Sequence, residues 1–166
     1  MPTLAKTTVL ALDPGLRDLG YAVLRGRRLQ TAGVRPLRLI PKDRRIAEAR
    51  RLVRGWIAAY RPGTLVLEST HRHSIKWLNE VDRLGRSIRR LARRCHLEVR
   101  SYAPQTVRKT VLGNGRATKR EAAVAVATRF PRLRIYLTQD RKWKERYWLN
   151  LFDAVALALH HRDKGR

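Results

Sequence analysis

The stretch TVLALDPGLRDLGYAVLRGRRLQTAGV, residues 8–34, decides the class of fold. Thr8 to Leu12 is an apolar run of strand length, and Asp13-Pro14-Gly15 closes it with turn residues. Gly20 to Leu24 and Leu29 to Val34 repeat the pattern, joined through Gly26. Three short strands in succession predict an antiparallel meander. Downstream the period lengthens. From Asp43, the expected cap, to about Tyr60, Ile46, Ala49, Leu52, Val53, Trp56 and Ile57 share one helical face, and Pro62-Gly63 stops the helix. Leu65 to Glu68 is then a short central strand. A long helix follows from about Ser74 to Cys95, whose Trp77, Val81, Leu84, Ile88 and Leu91 make one narrow apolar seam. Its opposite face carries Arg83, Arg86, Arg89, Arg90, Arg93 and Arg94.

His96 to Tyr102 is the last strand, and Pro104 opens a short helix before the loop Gly113-Asn114-Gly115. Thr118 caps a helix ending before Pro131. Residues 132–146 look like a basic loop, with a short strand at Leu133–Leu137, and Tyr147 to His161 is a final apolar helix. Without repeats or a linker, this alternation predicts one α/β domain over residues 1–166.

Lys and Arg number 38 against 13 acids in 166 residues, a formal charge of +25. Polyphosphate is the commonest neutraliser of such an excess, although a ribosomal-type binder has the same composition. No long apolar run or lipid-anchor motif accompanies the charge, so a membrane is not the expected partner. A single cysteine, Cys95, excludes an intramolecular disulfide and fits a reducing cytoplasm; it is expected on a helix as a small apolar residue. The N-terminus lacks the order of a signal peptide.

With only 13 acids, their placement is informative. Most lie on polar faces among arginines. Asp13 and Glu68 instead end two buried strands, and Asp153 interrupts the apolar helix LFDAVALAL. Unpaired buried carboxylates cost several kcal/mol each, so the three call for cations. Hard divalent ions with oxygen ligands suit carboxylates gathered at strand ends. Taken singly, Asp13 equally opens a β-turn and Glu68 equally pairs with an arginine at a sheet edge; Asp153, apolar on every side, is harder to explain that way.

ALDPGLRDLGYAV (11–23), LVLEST (65–70), SYAPQTVRKTVLGNGRATKREAAVAVATRF (101–130) and NLFDAVALALHH (150–161) together resemble the RuvC family of Holliday junction resolvases. The resemblance covers most of the chain in the family's order, leaving 27–60 and 132–146 generic. It implies a ribonuclease-H-like fold, a five-stranded mixed sheet flanked by helices. It also implies a homodimer cutting four-way DNA junctions with two Mg²⁺ ions per site, for which Mn²⁺ substitutes, and leaving 5′ phosphates. Carried over by position, Asp13, Glu68 and Asp153 match three members of the family's acidic tetrad. The fourth position is Asn150, one helical turn before Asp153, where the family usually has Asp or His. That amide oxygen can still be a ligand but lacks the charge.

Arg108 and Lys119 match basic residues the family uses near the scissile phosphate, and Lys119 also opens a helix, where backbone N–H groups favour phosphate. Arg116, Lys109 and Arg120 are weaker candidates for the same surface. After Glu68 the family commonly places an aromatic that wedges into the junction. His71 or His73 could stack there and Arg72 could grip a phosphate, or the three form a plain exposed loop. Trp143, Tyr147 and Trp148 are expected as packing residues. A second stripe on the 74–95 helix, Leu78, Gly85 and Ala92, is the expected partner-facing surface.

The same carboxylates would serve a ribonuclease-H-fold enzyme acting on a hybrid or a flap. A non-catalytic DNA binder would leave Asp153 without a purpose. Phage origin, with the host cytoplasm as location, is compatible with the replaced fourth ligand.

Overall fold

The computed structural model describes residues 8–69, 75–138 and 142–165, leaving out the side chains of 75–79 and 142–146. Five strands, β1 (Thr8–Pro14), β2 (Asp18–Arg25), β3 (Arg28–Pro36), β4 (Thr64–Glu68) and β5 (Glu98–Tyr102), form one sheet in the order β3-β2-β1-β4-β5. The first three make the expected antiparallel meander, and β1, β4 and β5 run parallel. Five α-helices cover it: α1 (Arg45–Tyr60), α2 (Ile75–Arg94), α3 (Pro104–Leu112), α4 (Lys119–Arg129) and α5 (Lys142–Lys164).

β1 reads as a continuous apolar run because both its faces are buried. Leu10 and Leu12 join Leu65, Leu67 and Leu84 under α1 and α2, whereas Val9 and Ala11 join Val66, Leu151 and Val155 under α5. Strand alternation therefore decides which way the strand-ending acids lean. Asp13 follows the parity of Val9 and Ala11, and Glu68 that of Val66, so both belong to the α5 face.

α5 lies almost directly on the sheet. At Gly20, which pairs with Asp13 across β1 and β2, an added Cβ would come 2.2 Å from the Asn150 carbonyl oxygen. Glycine is needed there because the α5 backbone occupies the space that a side chain would fill. Around this contact Leu151, Phe152 and the apolar run Ala154–Leu159 are buried.

Several expectations need correction. Asp43 does not cap α1; it lies in a 3₁₀ turn, Lys42–Arg44, and Arg44 holds the cap position without a side-chain bond. Leu133 to Leu137 is not a strand. Pro131–Tyr136 forms a 3₁₀ helix that buries Leu133 on the α4 and α5 side; its backbone closes i→i+3 bonds on itself, and the Arg132 side chain, not the backbone, reaches the edge strand β3 at the Leu29 carbonyl. The 132–146 stretch is shorter as a loop than expected, since α5 begins at Lys142. Cys95 sits in the turn just past α2, half-buried.

Of the α2 seam, Val81, Leu84, Ile88 and Leu91 are buried within the chain, at most 3% exposed, and the Trp77 side chain lies outside the described residues. The second stripe is not free either. Gly85 and Ala92 are already buried within the chain, Gly85 beneath the Arg89 guanidinium; the Leu78 side chain lies outside the described residues. Tyr147 and Trp148 do pack as expected. Tyr147 donates its hydroxyl to the Val34 carbonyl at 3.1 Å, and Trp148 rests 4.4 Å from the Tyr136 ring. The side chain of Trp143 lies outside the described residues. Among the described residues, no helix is long and apolar enough to cross a membrane.

Candidate active site

Three acids that are distant in sequence meet where the parallel strands end. Asp13 closes β1, Glu68 closes β4, and Asp153 descends from α5; carboxylate oxygens of all three lie within 4.8 Å of one another. The Asp153 side chain is 11% exposed and the Lys119 ammonium meets it at 2.7 Å. Lys119 is the first residue of α4. Its place is set by a capping box in which the Thr118 hydroxyl accepts from the Glu121 backbone N–H while the Glu121 carboxylate accepts from the Thr118 N–H.

The electrostatics are those of a crowded, water-poor carboxylate cluster. Burial first, then the charges of Glu68 and Asp153, push Asp13 well above the ordinary carboxylate range, with Lys119 pulling the other way. Glu68 is pushed up to about 7, again by burial and then by Asp153, with Lys119 and Arg108 opposing. Burial lowers Lys119, but the attraction of Asp153, Asp13 and Glu68 outweighs it and holds the ammonium charged. When ionised, the three carboxylates outnumber the one contacting ammonium, so the cluster takes up either protons or cations. Its donors are hard oxygens, the set that divalent cations prefer. The residues present fit such an ion.

Asn150, one turn before Asp153 on α5, is half-buried, and its amide donates weakly to the Tyr147 carbonyl at 3.4 Å. That bond uses the NH₂ group and leaves the amide oxygen uncommitted. Arg108, partly buried on α3, donates to the Ala117 carbonyl at 3.4 Å and is close enough to act on Glu68. Lys109, Arg116 and Arg120 are exposed on α3, the following loop and α4. His71, Arg72 and His73 lie outside the described residues.

Sequence reasoning passed over two features. Gly20 brings α5 against β2, and a glycine inside a strand pattern is the available signal for such an approach. Tyr102, opposite Glu68 in the β4–β5 register, ties the end of β5 to α5, its hydroxyl 2.9 Å from His161 Nδ1. Beside it the buried His160 meets the Thr110 hydroxyl at 2.7 Å. No spacing in the sequence announces that link, because three separate elements supply it.

The family profile described as crossover junction endodeoxyribonuclease RuvC matches residues 9–161, nearly the whole chain and all four site positions. The chain belongs to the RuvC family. The RuvC endonuclease of Corynebacterium glutamicum is 33% identical over 71% of this chain and 57% of its own length. That of Azorhizobium caulinodans is 31% identical over 93% of this chain and 90% of its own. The structure of Thermus thermophilus RuvC in complex with a Holliday junction substrate superposes with a TM-score of 0.77. It covers 96% of this chain and 95% of that one at 23% identity, a likeness of fold. The RuvC family depends on divalent metal, and the acidic triad of this member is able to hold one.

Proposed function

We propose that this RuvC member is a structure-selective endonuclease that resolves four-way DNA junctions as a homodimer, with two Mg²⁺ ions per site, Mn²⁺ substituting, and products carrying 5′ phosphates. The observation that carries the reading is the convergence of Asp13, Glu68 and Asp153 from three elements to within 4.8 Å, with Lys119 on the cluster. Divalent ions held there by the three carboxylates, with the Asn150 amide oxygen as a neutral fourth donor, would supply an activated water and charge neutralisation at the scissile phosphate. The remaining work belongs to the chain. The Lys119 ammonium and the opening N–H groups of α4 present positive charge to a phosphate beside the triad. Arg108 adds a second cation from α3. The buried β1 and β4 ends keep the carboxylates from moving apart, so their repulsion is retained until cations relieve it.

Two incisions related by a two-fold axis fit two copies of the chain on one junction. Of the α2 stripe expected to face the partner, Gly85 and Ala92 are already buried within the chain, and the Leu78 side chain lies outside the described residues. Location in the cytoplasm follows from the substrate.

The test is a labelled four-way junction with Mg²⁺, alongside fork, flap and RNA–DNA hybrid substrates. Paired symmetric cuts are expected in the junction, lost in Asp13→Asn while junction binding persists. Preferential cutting of the hybrid would replace the resolvase reading with the ribonuclease one.

A further inference from the structure

On the exposed side of α2, Arg86, Arg89, Arg90, Arg93 and Arg94 together line one open concavity of about 410 Å³. Their spacing stacks them over successive turns of a single helical face. Arg86 meets the Asp82 carboxylate at 2.8 Å, and Arg89 reaches the Ser101 hydroxyl of β5 at 3.4 Å. Among the described residues, no ion pair joins Arg90, Arg93 or Arg94 to an acid, and all three are exposed. Arginines on an ordinary solvated face diverge into water. Here they wall a hollow, where their fields add and concentrate anions.

The Arg93–Arg94 end of the concavity lies away from the triad, whereas its Arg89 wall reaches Ser101, the β5 partner of Leu67. α2 leaves the end of β4 that carries Glu68 and returns to the start of β5, so Arg93 and Arg94 sit at the opposite edge of the sheet. The residues that line it are arginines alone, their aliphatic stems forming the walls, and no aromatic or aliphatic residue is among them to anchor a protein partner. Planar guanidinium forks suit phosphate oxygens, which they grip in pairs. We infer that this face of α2 is a second phosphate site that holds a duplex arm of the DNA away from the cleaved bond. The inference rests on the nuclease reading of the triad for its choice of polyanion.

A helix of this length spans about 30 Å, or roughly nine base pairs of duplex rise. A contact at its far end therefore needs an arm of at least that order. The experiment compares the wild-type protein, an Arg90→Gln/Arg93→Gln/Arg94→Gln variant and the matching Arg→Lys variant, with far-UV circular dichroism confirming that each is folded. Binding in Ca²⁺ is measured against salt on hairpin-closed junctions with arms of about 6 and about 20 base pairs. On long arms the Gln variant should lose roughly 2–3 from the slope of log K against log salt, close to 0.9 per lost phosphate contact, and the Lys variant should restore most of it. On short arms the three proteins should coincide. Equal slopes on long arms would overturn the inference, as would an equal loss on short ones, which marks general charge. Cleavage of the short-armed junction in Mg²⁺ separates the two readings: cutting with unchanged slopes removes the arm contact and leaves the nuclease, and no cutting with a changed slope does the reverse.

Discussion

Asp13 shows what a single residue contributes here, because nearly every force acting on it disfavours its charge. Its neighbours Glu68 and Asp153 repel it and the strand end excludes water, so a proton or a cation must be present for the cluster to be comfortable. The sign of the pH effect follows. Asp13 and Glu68 bind protons more tightly folded than unfolded, so without metal the folded chain gains stability as pH falls toward the unfolded carboxylate values. It loses that stability as pH rises from about 4.5 to about 7, the window set by Glu68. Thermal melts in EDTA should show Tm falling across this window, and saturating Mg²⁺ should reverse the fall. A Tm rising with pH in EDTA would contradict a repulsive cluster. Cleavage, which needs the ionised ligands, should rise with pH through the same range and shift to lower pH as Mg²⁺ increases. Lys119→Met should move the rise to higher pH, since Lys119 lowers both acids.

Asn150 makes a separate prediction at this scale. Its amide oxygen stands one turn from Asp153 without a charge of its own. Asn150→Asp should lower the Mg²⁺ concentration for half-maximal cleavage, and Asn150→Ala should raise it. Identical titrations for both would make Asn150 a packing residue. The place of Asn150 as a fourth ligand came from the family resemblance alone, because an amide in a helix has no unpaired charge to betray it.

At the level of elements, the site depends on how closely α5 approaches β2. Gly20 permits that approach, and Gly20→Ala places a Cβ against the Asn150 backbone, which cannot swing aside as a side chain would. Overpacking of this kind typically costs 1–3 kcal/mol, or about 2–4 °C in Tm per kcal/mol for a chain of this size. Cleavage should fall further than the lost stability explains, because α5 carries both Asn150 and Asp153. Gly55→Ala is the control. It lies within α1 with nothing within 4 Å of the new Cβ, and should be neutral or stabilise by about 0.5–1 kcal/mol. A full-rate Gly20→Ala would show that the helix position is not what assembles the triad. Elements were legible in proportion to their periodicity: the meander and α2 follow from pattern. Residues 133–137 were read as a strand because their alternation has the right period, whereas Leu133 turns under α4 and α5 and the backbone closes i→i+3 bonds instead of pairing with β3 beside it.

For the molecule as a whole, charge and fold divide the labour. Two apolar layers on either face of one sheet hold the chain together, leaving 38 cations chiefly for solvent and DNA. Junction binding should weaken steeply with salt, and linear duplex should compete at low salt and fade as salt rises. A flat salt profile would contradict a phosphate-led interface. Sedimentation with and without junction should give two copies per junction, with the free chain less associated, since two strongly basic copies repel until DNA neutralises them.

The sequence by itself determined the order and type of the main elements, the place of Asp13 and Glu68 at strand ends, and the oddity of an acid in an apolar helix. Those are local properties: period, turn chemistry and hydropathy act over a few residues and survive without neighbours. Only the tertiary structure decided that the three acids share one cluster, that Lys119 reaches Asp153, and that Gly20 is the point of closest packing. It also decided that Gly85 and Ala92 are spent within the chain while the arginines of α2 wall a hollow. Each of these is a distance between elements remote in sequence, fixed by how the layers pack.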